Sequence, residues 1–96
     1  MAVLEHVHIT VAPERVDAYL EAFAKAQLLV EGQPGCRNCR LLPKLDAPGG
    51  FLLLIEWERQ TDHTEGFRKS AEYAQWSALL HPFYEVFPTV DYYLLP

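Results

Sequence analysis

Five consecutive apolar residues, Phe51–Ile55, form the first part of a predicted strand that runs to Glu58. Successive side chains of a strand point to opposite faces of its sheet, so a strand without alternation must be covered on both sides. The chain has 96 residues, which is close to the usual size of one domain, and we treat residues 1–96 as a single domain. Any fold of this chain has to bury both faces of that strand.

The remaining sequence alternates between strand and helix patterns. A period of two with β-branched residues indicates strands, and apolar residues at helical spacing behind a proline or a capping residue indicate helices. The predicted elements are a strand over 2–11, a helix over 13–31, strands over 36–42 and 51–58, a short helix opened by a capping box at Asp62 and Glu65, a helix capped by Ser70 that ends near Leu80, an aromatic connector over 83–87 and a strand over 90–95.

This β-α-β-β-α-β order predicts an α+β protein with the ferredoxin-like fold, in which an antiparallel four-stranded sheet carries its helices on one face. The apolar residues of the third strand that point away from the helices then need another cover. A second copy of the same sheet is the economical solution, so we predict a homodimer whose sheets pack face to face.

Charge and hydropathy narrow the range of partners. Asp and Glu number 13 against 8 Lys and Arg, which gives a net charge of -5 and makes nucleic acid an unexpected partner. No apolar run approaches the about 20 residues that a bilayer span needs, so we expect no membrane segment. The N-terminus lacks the pattern of a signal peptide and only two cysteines occur, and we therefore expect a cytoplasmic protein.

One branch of a known family shares the segments Leu53–Glu58, Asp62–Ser70, Leu79–His81 and Phe87–Val90, together with Tyr73, Trp76, Phe83 and Tyr84. Over nearly its whole length the chain resembles the antibiotic biosynthesis monooxygenase (ABM) family. The resemblance implies a dimeric α+β barrel with a pocket between sheet and helices in each subunit. It also implies oxygenation of a phenolic, quinol or polyketide-like compound without metal or flavin, so we expect no cofactor.

Heme-degrading relatives in the same family use an Asn, a Trp and a His. This chain places Glu5, then Gly66 or Phe67, and then Ser77 near those positions, with His81 one turn late. The heme-degrading trio is therefore missing.

Oxygenation without a metal needs a base that ionises the substrate, a group that holds the resulting anion, and a pocket that excludes water. The candidate catalytic residues are His63 and Glu5 as alternative bases and Arg68 as the group that holds an anion. The candidate substrate-binding residues are Trp57, Phe67, Tyr73, Trp76 and His81, of which His81 is a further candidate base.

Glu5 is the strongest indication of a pocket. It shares the inward face of the first strand with Val7 and Ile9, and burial of an unpaired carboxylate is costly. We therefore expect it to have a buried partner, such as a histidine, an arginine or a tyrosine hydroxyl. Burial would also raise the pKa of its carboxyl group towards the range of a useful base.

Structural roles are the alternatives for the same residues. The aromatic side chains can serve as core packing, His63 can lie exposed at a helix start, His81 can interact with a helix end, and Arg68 can belong to a surface ion pair. The corresponding alternative function is a dimer that binds a small molecule, or heme, without turnover.

We expect no metal site. His6 and His8 share the outward face of the first strand, but two ligands are too few for a typical site. Cys36 and Cys39 belong to another strand, where residues three apart point to opposite faces, so we expect no disulfide between them.

Overall fold

The computed structural model describes all residues, Met1–Pro96. The regular elements are strand β1 (Ala2–Thr10), helix α1 (Val16–Glu31), strands β2 (Cys36–Pro43) and β3 (Gly50–Trp57), helix α2 (Ala71–Leu80) and strand β4 (Val90–Leu95). The strands form one antiparallel sheet in the order β2-β3-β1-β4. This order confirms the predicted α+β, ferredoxin-like architecture.

Three short helical turns complete the chain. Two are 3₁₀ turns, at Pro13–Arg15 and His81–Phe83, each next to a longer helix. The third, Asp62–Phe67, is one turn of π-helix between β3 and α2, and we call it the π turn. No helix in the structure is both long enough and apolar enough to cross a bilayer.

The core lies between one face of the sheet and the two helices. β1 and β3 alternate regularly, so that every second side chain, such as Val7 and Leu53, is buried on the inner face. From the helical side, α1 contributes Tyr19, Phe23 and further residues at the predicted helical spacing. The strand alternation fixes the side of the sheet on which each residue of β1 lies, and it places Glu5 on the inner face.

The other face of the sheet carries no helix. Leu52 and Leu54 of β3 lie on it half-buried, beside Leu4 and His6 of β1. The third strand is therefore apolar on both faces, as the sequence predicts. We call this outward surface the open face.

The predicted capping box before α2 is wrong. Asp62 does not cap a helix: its carboxylate accepts a hydrogen bond from the backbone N–H of Arg59 at 3.0 Å and faces the Arg59 guanidinium at 3.6 Å. Glu65 instead contacts Lys69. The backbone N–H of Arg68 donates to the carbonyl of His63 at 3.0 Å, five residues back, which defines the π turn.

The capping role of Ser70 is confirmed. Its backbone is extended, and its hydroxyl accepts a hydrogen bond from the N–H of Tyr73 at 3.2 Å. Helix α2 ends at Leu80, where Pro82 follows, as expected.

Gly35 fixes the π turn against the start of β2. Its φ of +84° lies in the left-handed region that glycine adopts freely, and a Cβ there would lie 2.2 Å from the carboxylate of Asp62. The carbonyl of Gly35 also accepts a hydrogen bond from the N–H of Glu58 at 2.8 Å. Any other residue at this position would have to displace the Asp62 side chain and adopt an unfavourable φ.

The expectation that Cys36 and Cys39 face opposite sides is also wrong. A β-bulge between Cys36 and Asn38 adds one residue to β2, so Cys36 lies opposite Trp57 and Cys39 opposite Ile55, both inner-face residues of β3. Both thiols are free. Burial raises the pKa of Cys36 to about 11 and that of Cys39 to about 12, so both are protonated at neutral pH.

Candidate active site

Glu5 lies in the middle of the inner face, where only 4% of it is exposed. It is paired with Ile55 of β3 on one side and with Tyr92 of β4 on the other. The indole Nε1–H of Trp57 donates a hydrogen bond to its Oε1 at 2.9 Å. The carboxylate expected from the sequence to need a buried partner therefore has one, although the donor is an indole rather than one of the expected groups.

His63 supplies the second partner, from the π turn. Its Nε2 lies 3.5 Å from Oε2 of Glu5, and its Nδ1 is hydrogen-bonded to the hydroxyl of Tyr92. The imidazole also stacks on the indole of Trp57, with ring centroids 5.5 Å apart and planes 26° apart. His63 is as buried as Glu5, so the alternative of an exposed residue at a helix start does not hold.

Burial shifts the two ionisable groups in opposite directions. It raises the pKa of Glu5 to about 7, against the opposing effects of the Trp57 hydrogen bond and the positive charge of Arg68. It lowers the pKa of His63 to about 4, and Arg68 adds to that shift. At neutral pH His63 is therefore uncharged, and its 3.5 Å contact with Glu5 is a polar contact rather than an ion pair.

A cavity of about 50 Å³ opens beside this pair. It is bounded by the sheet, the π turn, α2 and the segment that follows α2, and its lining residues are Glu5, Val7, Leu53, Ile55, His63, Phe67, Arg68, Tyr73, Trp76, His81, Tyr84, Phe87, Pro88 and Val90. A water molecule occupies about 10–15 Å³ by the same measure, so the space holds a few small molecules. An aromatic ring needs more room.

Aromatic side chains that follow α2 form part of the cavity wall. The ring of His81 packs edge-on against Phe87 with centroids 4.8 Å apart, and Tyr84 lies 5.5 Å from His81. Burial lowers the pKa of His81 and raises that of Tyr84, which favours the uncharged form of each. Arg68 is exposed on the cavity wall and belongs to no ion pair within the chain.

Seven of the eight site residues expected from the sequence line this one cavity: Glu5, His63, Phe67, Arg68, Tyr73, Trp76 and His81. Trp57 does not. It is fully buried behind Glu5 and His63, where it holds the carboxylate instead of presenting its ring to a ligand. The expectation that Trp57 stacks on a substrate is corrected accordingly.

Tyr92, Tyr84 and Phe87 are the residues of this site that the sequence did not identify. The sequence placed Tyr92 on an alternating last strand, but which residue of β1 it faces depends on the β1–β4 register. The sequence places Tyr84 and Phe87 in an aromatic connector and predicts no role for either. Their aromatic character was the available indication.

No group of three or more His, Cys, Asp and Glu side chains is arranged so that it could hold a metal ion.

The sequence profile of one family, antibiotic biosynthesis monooxygenase, matches residues 2–79. The chain belongs to this family. The uncharacterized protein YczJ of Bacillus subtilis is 45% identical to it over 73 residues, which are 76% of this chain and 77% of YczJ.

Solved structures of the ABM family share the fold. The crystal structure of a Bordetella bronchiseptica protein that bears the family name has a TM-score of 0.92 at 26% identity, covering 99% of this chain and 97% of that one. SnoaB, a cofactor-independent oxygenase from Streptomyces nogalater, has a TM-score of 0.76 at 18% identity, covering 99% and 91%. At that identity the likeness to SnoaB is a likeness of fold.

Proposed function

We propose that this ABM-family protein is a cofactor-independent monooxygenase that acts on an aromatic, quinol or polyketide-like small molecule. The observation that carries the proposal is a buried carboxyl group, Glu5, that lines a largely apolar cavity and has a pKa near neutrality. Membership of the ABM family supports this class of reaction.

Glu5 is the base of the proposed reaction. With a pKa of about 7 it is substantially ionised at neutral pH, yet it binds a proton more strongly than an exposed glutamate does. It takes a proton from a phenol, or from a CH₂ group activated by a neighbouring carbonyl, and leaves an electron-rich anion. For a CH₂ group, one O₂ is consumed, one oxygen atom becomes the product carbonyl, and the other leaves as water with the two hydrogens of the substrate.

Arg68 and the apolar walls support the anion. The guanidinium lies on the cavity wall without a carboxylate partner, so its charge is available to a substrate anion. The remaining lining is largely apolar and excludes water from the reactive intermediate. His63, uncharged at neutral pH, does not compete with Arg68 for that anion.

The size of the cavity indicates how the substrate is accommodated. About 50 Å³ leaves room for O₂ beside Glu5, whereas the aromatic ring must displace side chains at the mouth. Phe87 is 66% exposed and belongs to no helix or strand, so its displacement exposes little further apolar surface. The substrate ring then takes the place of the Phe87 ring against His81.

Oxygen consumption tests the proposal. The purified protein is mixed with a panel of phenols, hydroquinones and anthrone-type ketones, and O₂ uptake is followed with an electrode. We expect uptake with at least one of them and a loss of about 10²–10⁴-fold in Glu5→Gln, the usual contribution of a general base. Glu58→Gln, which changes an exposed carboxylate just after β3, serves as the matched control.

Ligand binding without turnover is the alternative that the same assay separates. Saturable binding of a phenol with no O₂ uptake would contradict the oxygenase. Activity that survives in Glu5→Gln at the rate of Glu58→Gln would remove Glu5 from the reaction.

We also propose that the functional unit is a homodimer whose open faces pack together. The open face carries half-buried leucines at its centre and Leu42, 41% exposed, towards its edge. On the same face Nδ1 of His6 is buried without a hydrogen-bond partner. ABM folds are typically dimeric, and a second copy supplies the apolar cover that this chain lacks.

Leu54→Glu tests the dimer, because it places a charge at the centre of the open face. We expect sedimentation to show a dimer for the wild type and a monomer for Leu54→Glu at micromolar concentration. Leu28→Glu, on the solvent side of α1, is the control and keeps the wild-type mass. A wild-type monomer at these concentrations would refute the assembly.

A further inference from the structure

We propose that Glu5, His63 and Tyr92 form a proton relay that connects the cavity with solvent at β4, and that Tyr92 is a positioning residue for proton transfer. The relay rests on the proposed function for the origin of the proton, which is the substrate in the cavity. Its own geometry can be tested in the free protein without any substrate.

Two contacts in series join the buried carboxyl group to a residue near the surface. Oε2 of Glu5 faces Nε2 of His63, and Nδ1 of the same ring is bonded to the hydroxyl of Tyr92. Glu5 and His63 line the cavity, whereas Tyr92 does not. The relay therefore leads away from the cavity through a residue that does not line it.

Exposure increases along the relay. Glu5 and His63 are each 4% exposed, and Tyr92 is half-buried on β4, which is an edge strand of the sheet. Trp57 holds the other carboxylate oxygen of Glu5, so that Oε2 is the atom left to face His63. Of the three members, Tyr92 is the one that is partly exposed.

Each step of the transfer moves one proton along one hydrogen bond. When Glu5 is protonated, its O–H donates to Nε2, the Nδ1–H of His63 donates to the oxygen of Tyr92, and the O–H of Tyr92 donates to water. One shift along this chain delivers a proton to water. It leaves Glu5 ionised, Nε2–H donating to the carboxylate, and the hydroxyl of Tyr92 donating to Nδ1.

The surrounding groups favour a concerted shift over charged intermediates. Burial and the charge of Arg68 disfavour the imidazolium form of His63 by lowering its pKa, and burial disfavours the phenolate of Tyr92 by raising its pKa. The other titratable groups that face the cavity or the inner face around Glu5 are Tyr73 of α2, His81 and Tyr84 after it, and the thiols of Cys36 and Cys39 on β2. None of these brings a second positive charge beside Arg68, and burial favours the uncharged forms of His81, Tyr84 and both thiols.

The position of the proton on His63 gives a direct test, because the relay switches its tautomer. Nitrogen NMR of the ¹⁵N-labelled free protein distinguishes Nδ1–H from Nε2–H. We expect the Nδ1–H tautomer between about pH 4 and 7 and the Nε2–H tautomer above that range, with the midpoint at the titration of Glu5 and no doubly protonated ring near neutrality. In Glu5→Gln the pH-dependent switch is lost.

The rate at which the ring proton of His63 exchanges with water tests Tyr92 itself. We expect this rate to fall by at least about tenfold in Tyr92→Phe, which keeps the ring and removes the hydroxyl. Tyr93→Phe is the matched control, because Tyr93 is the next residue on β4 and lies on the open face. Its exchange rate stays at the wild-type value.

Three outcomes would overturn the relay: one His63 tautomer at all pH values, an imidazolium near pH 7, or an unchanged exchange rate in Tyr92→Phe. With an oxidisable substrate, Tyr92→Phe is expected to lower kcat and leave KM unchanged. If the tautomer switch and the exchange effect are present but no substrate consumes O₂, the relay stands and the proposed function fails.

Discussion

The two ends of strand β3 bury polar groups in opposite ways. Near its start, the hydroxyl of Tyr19 is buried without any hydrogen-bond partner, and the Tyr19 ring packs against Phe51 and Phe83 with centroids 5.3 and 5.5 Å apart. Near its end, both carboxylate oxygens of Glu5 face a buried nitrogen, one of Trp57 and one of His63. The same layer of the protein thus contains an isolated polar atom and a connected polar chain.

This difference distinguishes a buried polar residue that only packs from buried polar residues that can take part in a reaction. An unpartnered buried hydroxyl costs stability and offers nothing to a ligand, so Tyr19 contributes its ring. The connected polar side chains at the other end lie beside a cavity. Two of them are titratable, and burial has raised the pKa of Glu5 above that of His63. Burial of a polar residue therefore does not by itself indicate a site, whereas a connected pair of titratable groups beside a cavity does.

The largest effect is expected in the pH dependence of stability at the Glu5 end. The pKa of Glu5 rises from 4.5 to about 7 on folding, so its contribution to the free energy of unfolding falls as pH rises through that range. The pKa of His63 falls from 6.5 to about 4, so its contribution increases between pH 4 and 6.5. In the wild type the two largely cancel.

Substitution of either Glu5 or His63 makes the pH dependence contributed by the other measurable. Relative to wild type, the free energy of unfolding of Glu5→Gln is expected to rise by about 3 kcal/mol from pH 4.5 to 7, at about 1.4 kcal/mol for each pKa unit. That of His63→Gln is expected to fall by about 3 kcal/mol from pH 4 to 6.5 for the same reason. Urea unfolding across this pH range provides the measurement. Tyr19→Phe at the other end follows the wild-type pH dependence, and parallel curves for all four proteins would show that the shifts do not exist.

The hydrogen bond from Trp57 is expected to have the next largest effect. Trp57→Phe removes the donor to the Glu5 carboxylate, so the pKa of Glu5 rises further and the destabilisation is about 2 kcal/mol greater at pH 8 than at pH 5. Trp76→Phe is the control, since Trp76 is similarly buried and makes no hydrogen bond to a charged group. The loss in free energy of unfolding for Trp76→Phe, measured in the same urea experiment, should be equal at the two pH values. An equally pH-independent loss for Trp57→Phe would mean that the indole does not stabilise the ionised carboxylate.

The smallest expected effect is the change in the free energy of unfolding when either of two tyrosine hydroxyl groups is removed. Tyr19→Phe is expected to leave the free energy of unfolding unchanged or to raise it by about 1 kcal/mol, because the buried hydroxyl has no partner to lose. Tyr92→Phe is expected to lower it by about 1 kcal/mol, because Nδ1 of His63 loses its partner. Thermal unfolding at neutral pH measures both, and equal shifts would remove the distinction between the two ends.

Periodicity predicted most of the fold and the centre of the site. The alternation of β1 placed Glu5 inwards, and the four-residue spacing of His63 and Phe67 placed both on one side of the following turn. The cost of burying a carboxylate then required a partner. These inferences depend on local sequence patterns, which a single sequence contains.

The features that the sequence did not predict depend on register or on irregular backbone. Tyr92 reaches His63 because β4 pairs with β1 so that Tyr92 lies opposite Glu5, and that pairing joins residues more than 80 positions apart. The bulge after Cys36 and the π turn each insert one residue into a regular element, which reverses or rotates the faces that a regular period assigns. Trp57 is aromatic and inward, as predicted, but its indole N–H decides its role.

The π turn relates the number of residues between β3 and α2 to the relative positions of His63 and Arg68. Its hydrogen bond spans five residues, from His63 to Arg68, where an α-helix would span four. Deletion of a single residue within it would restore α-helical winding and leave Arg68 at nearly the same angle relative to His63, because an i→i+4 hydrogen bond closes one turn of an α-helix as the i→i+5 bond closes one turn here. Homologues that lack one residue here would therefore keep the cation and the imidazole of this cavity in register, with one residue fewer between them.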